Sequence, residues 1–427
     1  DVETISLKER MPLGFAIAFS PDEAFYFQVH PEPPRELELL KPLLFNPAVC
    51  KIAHSAMFDL SVLPMIPNLV GFDRSNLFDT NVAARLLGRE ETALYLLASE
   101  VGMAATPVNA MLKPKQTMLD LDPTAVAEKC QMDARVSFAL YNLYEPQIRQ
   151  QYNEYFKVEM AVIPILIDLS LRGLQIDQKA RAELQEKLEY EVEFYRRQLE
   201  EYGVEKPGST QQIGYMLGKR GNFLRLTKGK RQLSTREADL EFLDDPMAAA
   251  VLGWRNKSKL LNTYIAPIAG DDRFWTEYYL DTIVGRLNSR NRNIQNIPVE
   301  CRHIFLPDSR CFTSCDYSQE HPRILAVVSQ DREMLKVFEE GGDIHLNTAK
   351  KLNISRNLAK RVNNAMHGGA TASTVSTHTK IRDKNLCNKF IDEWSRVYKS
   401  AWDWIIYAQR EALNTGWALP TLFNRSI

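Results

Sequence analysis

Arg310-Cys311-Phe312-Thr313-Ser314-Cys315-Asp316-Tyr317-Ser318-Gln319-Glu320-His321-Pro322-Arg323-Ile324-Leu325-Ala326 is the stretch on which the fold turns. Its pattern predicts a strand ending at Asp316, then a turn, then a helix. A strand end of this kind would present the Asp316 carboxylate and the Tyr317 carbonyl side by side, half of the oxygen set that Mg²⁺ takes. Downstream, Arg356, Lys360 and Asn364 stand at i, i+4 and i+8. On a helix that spacing lines up two cations and an amide on one face, as a triphosphate with its base requires. His345, after Asp343-Ile344, is weighed between a β-phosphate donor and a structural residue.

The charge balance supports an anionic partner only when it is divided along the chain. The 427 residues sum to −1, but residues 1–210 carry 21 Lys and Arg against 31 Asp and Glu, and residues 211–427 carry 32 against 23. The second half is therefore basic enough to hold phosphates. Within it, Lys219–Arg231 contains Lys219, Arg220, Arg225, Lys228, Lys230 and Arg231 and no acid, and suggests a phosphate-contacting tip. Six cysteines without a C-x-x-C pair, and seven histidines away from them, exclude a zinc site on spacing and suit reduced thiols. No apolar run approaches about 18 residues, so a soluble chain without a membrane role is expected.

Working toward the N-terminus, residues 1–155 alternate strand and helix patterns. Strands are expected at Gly14–Phe19, Ala24–Val29 and Val49–Ala53, with Ser55 as an N-cap and a helix opening at Asp122-Pro123. From Tyr155 to Tyr202 the pattern is long-helical, broken at Arg172-Gly173. Asp1 and Glu3 at i and i+2 share one side of a strand, and Asp59 and Asp133 fall on helices. Hard divalent cations take such carboxylates, although spacing alone leaves ordinary surface acids open.

Four segments then carry a resemblance. Asp1-Val2-Glu3-Thr4, Lys51 to Leu63 with Phe58-Asp59, Phe78-Asp79-Thr80, and Met132-Asp133-Ala134-Arg135 resemble the successive motifs of the 3′-5′ proofreading exonuclease in DNA polymerase I-type (family A) enzymes. The resemblance implies Asp1, Glu3, Asp59 and Asp133 as metal ligands, with Asp79-Thr80 capping a helix. The Asp316 stretch resembles motif A of the same family. Gly285-Arg286-Leu287-Asn288-Ser289 with Asn293 to Pro298 resembles its primer-template segment, Trp254 to Tyr264 the end of its thumb, and Asp343-Ile344-His345 with Arg356 and Lys360 its fingers.

The resemblance implies an α/β, ribonuclease H-like exonuclease domain with a mixed sheet, followed by an α+β right-hand polymerase. Expected boundaries are 1–155 for the exonuclease, 156–284 for the thumb, 285–325 for a partial palm with motif A, and 326–427 for the fingers. Expected activities are template-directed DNA synthesis and 3′-5′ proofreading, with Mg²⁺ in two-metal sites at Asp1, Glu3, Asp59 and Asp133 and at Asp316 with the Tyr317 carbonyl. Arg356 and Lys360 would neutralise the pyrophosphate. Arg286, Asn288, Gln295, Asn296 and Lys259 would hold primer-template DNA, while Gln319, His321, His345 and Asn364 would face the dNTP. A processivity factor and a bacterial or phage-infected cytoplasm complete the expectation.

Departures from the family pattern are specific. Lys129 stands where the family has a Tyr, Ser55 where it has Asn, His321 where it has Glu, and Asn364 and Gly368 where it has an aromatic residue and a Tyr. Lost stacking on an aromatic is worth roughly 1–3 kcal/mol, and His321 is expected to crowd a ribose 2′-OH instead of the Glu. No His-Asp pair, the family's second palm acid, occurs in the text, so a fragment unable to extend primers is expected. Nuclease-only and DNA-binding alternatives stand beside the polymerase.

Overall fold

The computed structural model describes all residues except 7–9, 228–231, 281, 283–284, 417 and 419–427. Lys228, Lys230 and Arg231 of the basic stretch therefore lie outside the described residues. The chain forms two compact units, one built from Asp1–Gly173 and Trp275–Asn296, the other from Leu174–Phe274 and Ile297–Ala418.

In the first unit, β1 (Val2–Thr4) and β3 (Ala24–Gln28) both pair antiparallel with β2 (Pro12–Ala18), with Val2 opposite Phe15 and Phe15 opposite Phe27. Separately, β4 (Lys51–Ala53) and β5 (Leu77–Asp79) pair in parallel, Ala53 opposite Asp79. Both strand directions are thus present, in separate sheets. Helix Pro123–Gln151 opens where Asp122 accepts the Thr124 N–H at 3.1 Å. Its buried positions Val126, Cys130, Asp133, Ser137, Leu140, Tyr144 and Ile148 recur every three or four residues, the stripe a core-facing helix requires. One member of that apolar stripe, Asp133, is an acid. The core itself joins Leu140 and Tyr144 to Phe78, Phe156 and Ile163.

Ser55 occupies the N-cap position before helix Ala56–Val62, but its side chain does not cap it. Its backbone is left-handed, φ 64°, and its side chain accepts none of the helix N–H groups. Asp79 does the work from across the parallel ladder, accepting from Ser55 N at 3.2 Å and Ala56 N at 2.7 Å. The same carboxylate caps its own helix, Thr80–Leu86, accepting from Asn81 N at 2.8 Å and Val82 N at 3.2 Å. One buried acid therefore starts two helices.

The second unit begins after Gly173, whose φ of 62° and ψ of −172° suit a residue without Cβ and end helix Asn153–Arg172. A short antiparallel ladder places Leu174–Ile176 between Arg273–Phe274 and Phe305–Leu306. Helix Gln178–Glu201 packs on helix Pro246–Lys259. Their approach is close enough that a Cβ on Gly253 would lie 2.5 Å from the Tyr195 ring. From Glu320 onward the unit is helical, and Met366, Cys387, Phe390, Trp394 and Tyr398 form its core.

The basic stretch after helix Thr210–Lys219 is less available for phosphate than its composition implies. Arg220 Nε donates to Asp245 at 2.9 Å, and Arg225 Nε donates to Asp239 at 2.8 Å. Asp245 also accepts from Asn222 Nδ2 at 2.6 Å and from Met247 N at 2.8 Å, where it caps helix Pro246–Lys259. Burial alone would push its carboxyl up, but these hydrogen bonds outweigh burial and hold it below the usual value. A depressed folded value stabilises above the unfolded pKa and is lost as pH falls. Asp245→Asn is thus expected to cost about 2 kcal/mol at pH 7, with the gap to wild type narrowing toward pH 3 in urea titrations. A gap that stays constant between those pH values would contradict it.

Candidate functional site

In the first unit the sequence-predicted acids meet at the start of β1. Asp59 Oδ1 accepts the Val2 N–H at 3.0 Å, which brings helix Ala56–Val62 against the strand that carries Asp1 and Glu3. Ligand atoms of Asp1, Glu3 and Cys130 lie within 4.8 Å of one another. Asp133 joins through Lys129, whose ammonium donates to Glu3 Oε1 at 2.5 Å and to Asp133 Oδ2 at 2.7 Å. Asp1, Glu3, Asp59 and Lys129 line a cleft of about 1050 Å³ together with His54, Phe58, Asn109 and Lys113.

Burial dominates the electrostatics. It raises the Asp59 carboxyl to about 6 and raises Glu3 against the opposing pull of Lys129. It also pushes up the Cys130 thiol, whose S–H donates to the Asp1 carbonyl at 3.5 Å, and a hard divalent cation favours the oxygens of Asp1 and Glu3 over its sulfur. Two buried carboxylate oxygens, Asp1 Oδ2 and Asp133 Oδ1, have no hydrogen-bond partner among the described residues. Unpaired buried oxygens beside other carboxylates are what a hard divalent cation satisfies. Asp1 and Glu3 therefore fit one such ion, on the cleft that Asp59 also lines. Glu3 and Asp133 already share a cation of the protein's own, and a second ion does not fit them in the same way.

The second unit places the motif A residues differently from expectation. Residues 311–317 pair with no strand among the described residues, and Asp316 and Tyr317 are exposed. The predicted strand fails because a strand exists only with a neighbour to take its N–H and C=O groups. The turn and helix are as expected: Gln319, φ 56°, precedes helix Glu320–Ser329, and its Oε1 accepts the Ile344 N–H at 2.8 Å. His321 is exposed on the first turn of that helix.

On helix Arg356–His367 the three spaced residues do share a face. Arg356, Lys360 and Asn364 are exposed, while Ala359, Val362, Asn363 and Met366 are buried. Arg356 Nε donates to Asp343 at 2.9 Å, and Asp343 also caps helix Ile344–Leu352 through the N–H groups of His345 and Leu346. His345 is buried, and Asn363 Nδ2 contacts its Nδ1 at 2.9 Å. Asn363, 1% exposed, also accepts from Trp394 Nε1 at 2.8 Å and Thr348 Oγ1 at 3.1 Å, and Tyr398 joins Thr348 at 2.9 Å. His345 thus belongs to a buried polar network. Sequence reasoning passed over Asn363, although its place four residues after Ala359, on the face with Ala359 and Met366, marked it as inward-facing.

The remaining candidates are spread over both units. Lys259 is exposed at the end of helix Pro246–Lys259 in the second unit. Arg286, Gln295 and Asn296 are exposed in the first unit, and Asn288 is half-buried on a strand that pairs with Glu277–Tyr279. Gln295 is braced by its Nε2 donating to the Leu287 carbonyl at 3.2 Å.

Comparison with known proteins follows the same division. The sequence pattern of DNA polymerase family A matches residues 178–427, and that of a 3′-5′ exonuclease matches residues 1–148. DNA polymerase I of Chloroflexus aurantiacus is 28% identical over 377 residues, covering 80% of this chain and 40% of its own length. DNA polymerase I of Synechocystis sp. is 28% identical over 471 aligned residues, covering 100% of this chain and 47% of its own. The chain spans less than half the length of these curated relatives. A solved structure, the POL domain of Pol1 from M. smegmatis in complex with DNA primer-template and dNTP, has the same fold with a TM-score of 0.79 at 18% identity, covering 100% of this chain and 77% of that one.

Proposed function

The chain belongs to DNA polymerase family A, and from that premise we propose that it serves template-directed DNA synthesis with a 3′-5′ exonuclease domain for proofreading. In this reading residues 1–155 form the exonuclease, 156–284 the thumb, 285–325 the motif A part of the palm and 326–427 the fingers. Arg286, Asn288, Gln295 and Asn296 in the first unit contact primer-template DNA, and Lys259 in the second unit is a separate DNA contact. A dNTP meets Gln319, His321 and Asn364, with Arg356 and Lys360 on its phosphates. Mg²⁺ would be held by Asp316 with the Tyr317 carbonyl, and by Asp1, Glu3 and Asp59, where it supplies charge stabilisation at phosphate oxygens. No described helix is long and apolar enough to cross a membrane, and the setting proposed is the bacterial or phage-infected cytoplasm, with a processivity factor as a further partner.

The observation that carries this reading is the shared exposed face of Arg356, Lys360 and Asn364. Two cations one turn apart suit a chain of phosphates. The Asp343 pair does not prevent this. An exposed ion pair is worth only about 0–1 kcal/mol, so a triphosphate of several negative charges can draw the Arg356 guanidinium away. Buried His345, by contrast, acts on the nucleotide only by positioning the helix through Asn363. Titration of a fluorescent dATP analogue against the full chain is expected to show Arg356→Ala and Lys360→Ala each weakening binding about tenfold, the loss of one charge-assisted hydrogen bond. Unchanged affinity in both variants would sink the reading.

A further inference from the structure

The acid cluster contains a cation that comes from the chain itself. Lys129 and Asp133 are one turn apart on helix Pro123–Gln151, and the ammonium reaches across to Glu3 on β1. The side chains are almost out of water, at 7% exposure for Lys129, 7% for Glu3 and 11% for Asp133. An ammonium in that position cannot leave cheaply, since its departure strands two buried carboxylates. A divalent ion brought between the same two carboxylates would have to sit against a fixed positive charge. Asp1 Oδ2, unpaired among the described residues, near Glu3 and on the cleft that Asp59 also lines, is left as the place where an ion is still wanted.

We propose that the Lys129 ammonium replaces one of two divalent cations in this cluster of four acids, so that the cluster takes a single ion, at Asp1 and Glu3 on the cleft that Asp59 lines. The inference rests on the exonuclease reading of the four acids and departs from its two-metal form. Lys129 offsets charge, as a metal would. An ammonium carries no exchangeable water and no open coordination position, so it cannot generate a bound hydroxide. The domain is thereby suited to holding a DNA 3′ end more than to cleaving it quickly.

The test counts ions. Mn²⁺ is titrated into the full chain in an Asp316→Ala background, which removes the polymerase acid, and free Mn²⁺ is followed by electron paramagnetic resonance. One bound ion is expected for Lys129, one for Lys129→Arg, and two for Lys129→Ala, whose melting temperature should also rise with Mn²⁺ by more than that of the Lys129 protein. Two ions with Lys129 in place overturn the proposal while leaving the exonuclease reading intact, and this count does not depend on any Lys129 variant folding. One ion in Lys129→Ala overturns it as well. No ion in any of the three chains overturns both the proposal and the exonuclease reading.

Discussion

Trp394→Ala is expected to destabilise the second unit by about 4–5 kcal/mol. Removing a fully buried aromatic ring costs roughly 3–5 kcal/mol through lost burial and the cavity left behind, and Trp394 is 0% exposed between Tyr398, Trp402 and His367. The indole N–H adds to this. Its bond to Asn363 Oδ1 is one of two that oxygen accepts, the other coming from Thr348. Losing one partner of a buried acceptor that keeps another adds about 1 kcal/mol. A domain whose whole stability is about 5–15 kcal/mol would be left marginal. Trp394→Phe separates the two effects: it keeps most of the ring and should cost about 1–2 kcal/mol. Chemical denaturation followed by circular dichroism measures both, and equal losses for Phe and Ala would show that packing around the ring contributes little.

Asp79→Ala is the second large effect, and it reaches the acid cluster without touching it. The Asp79 carboxylate is 2% exposed and accepts four backbone N–H groups at the starts of two helices. One cap is worth about 1 kcal/mol, and hydrogen bonds to a charged acceptor about 1.5–3 kcal/mol. A total loss of about 3–4 kcal/mol is expected. Helix Ala56–Val62 carries Asp59, so its start moves the acid that holds Val2 N–H. Mn²⁺ affinity of the folded protein should therefore fall about tenfold in Asp79→Ala, and by less in Asp79→Asn, which keeps one acceptor oxygen. If the folded variant bound Mn²⁺ as tightly as wild type, Asp79 would be a stabilising cap and nothing more.

Asp79 was legible in the sequence as a cap, because Asp before an apolar helical run has a local cause that needs no tertiary information. The same holds for Asp122-Pro123 and for the break at Arg172-Gly173. The second helix that Asp79 caps was not legible, since Ser55 looked sufficient by type and only the parallel pairing of Ala53 with Asp79 supplies the better acceptor. Residues 311–317 failed for a related reason. Their composition suits a strand, but pairing is a property of two segments. The basic stretch showed no acid within itself, yet the acids that occupy Arg220 and Arg225 follow 25 and 14 residues later. Of the acid cluster, the residue types and their elements could be read in advance. The Lys129 link to Asp133 could have been read from i, i+4 spacing, but its link to Glu3 spans 126 residues and could not.

That span has a kinetic meaning. The Asp59 bond to Val2 closes 57 residues and the Lys129 bond to Glu3 closes 126, and Arg10 pairs with Glu277, 267 residues away. Contacts of such separation form late, because chain closure must precede any gain from them. On a ribosome, β1 emerges long before helix Pro123–Gln151, so Glu3 waits unpaired until Lys129 arrives. A lysine that travels with the chain meets it at fixed stoichiometry, whatever the concentration of free metal in the cell. Neutralisation of Glu3 and Asp133 then becomes a step of folding and does not depend on the supply of ions.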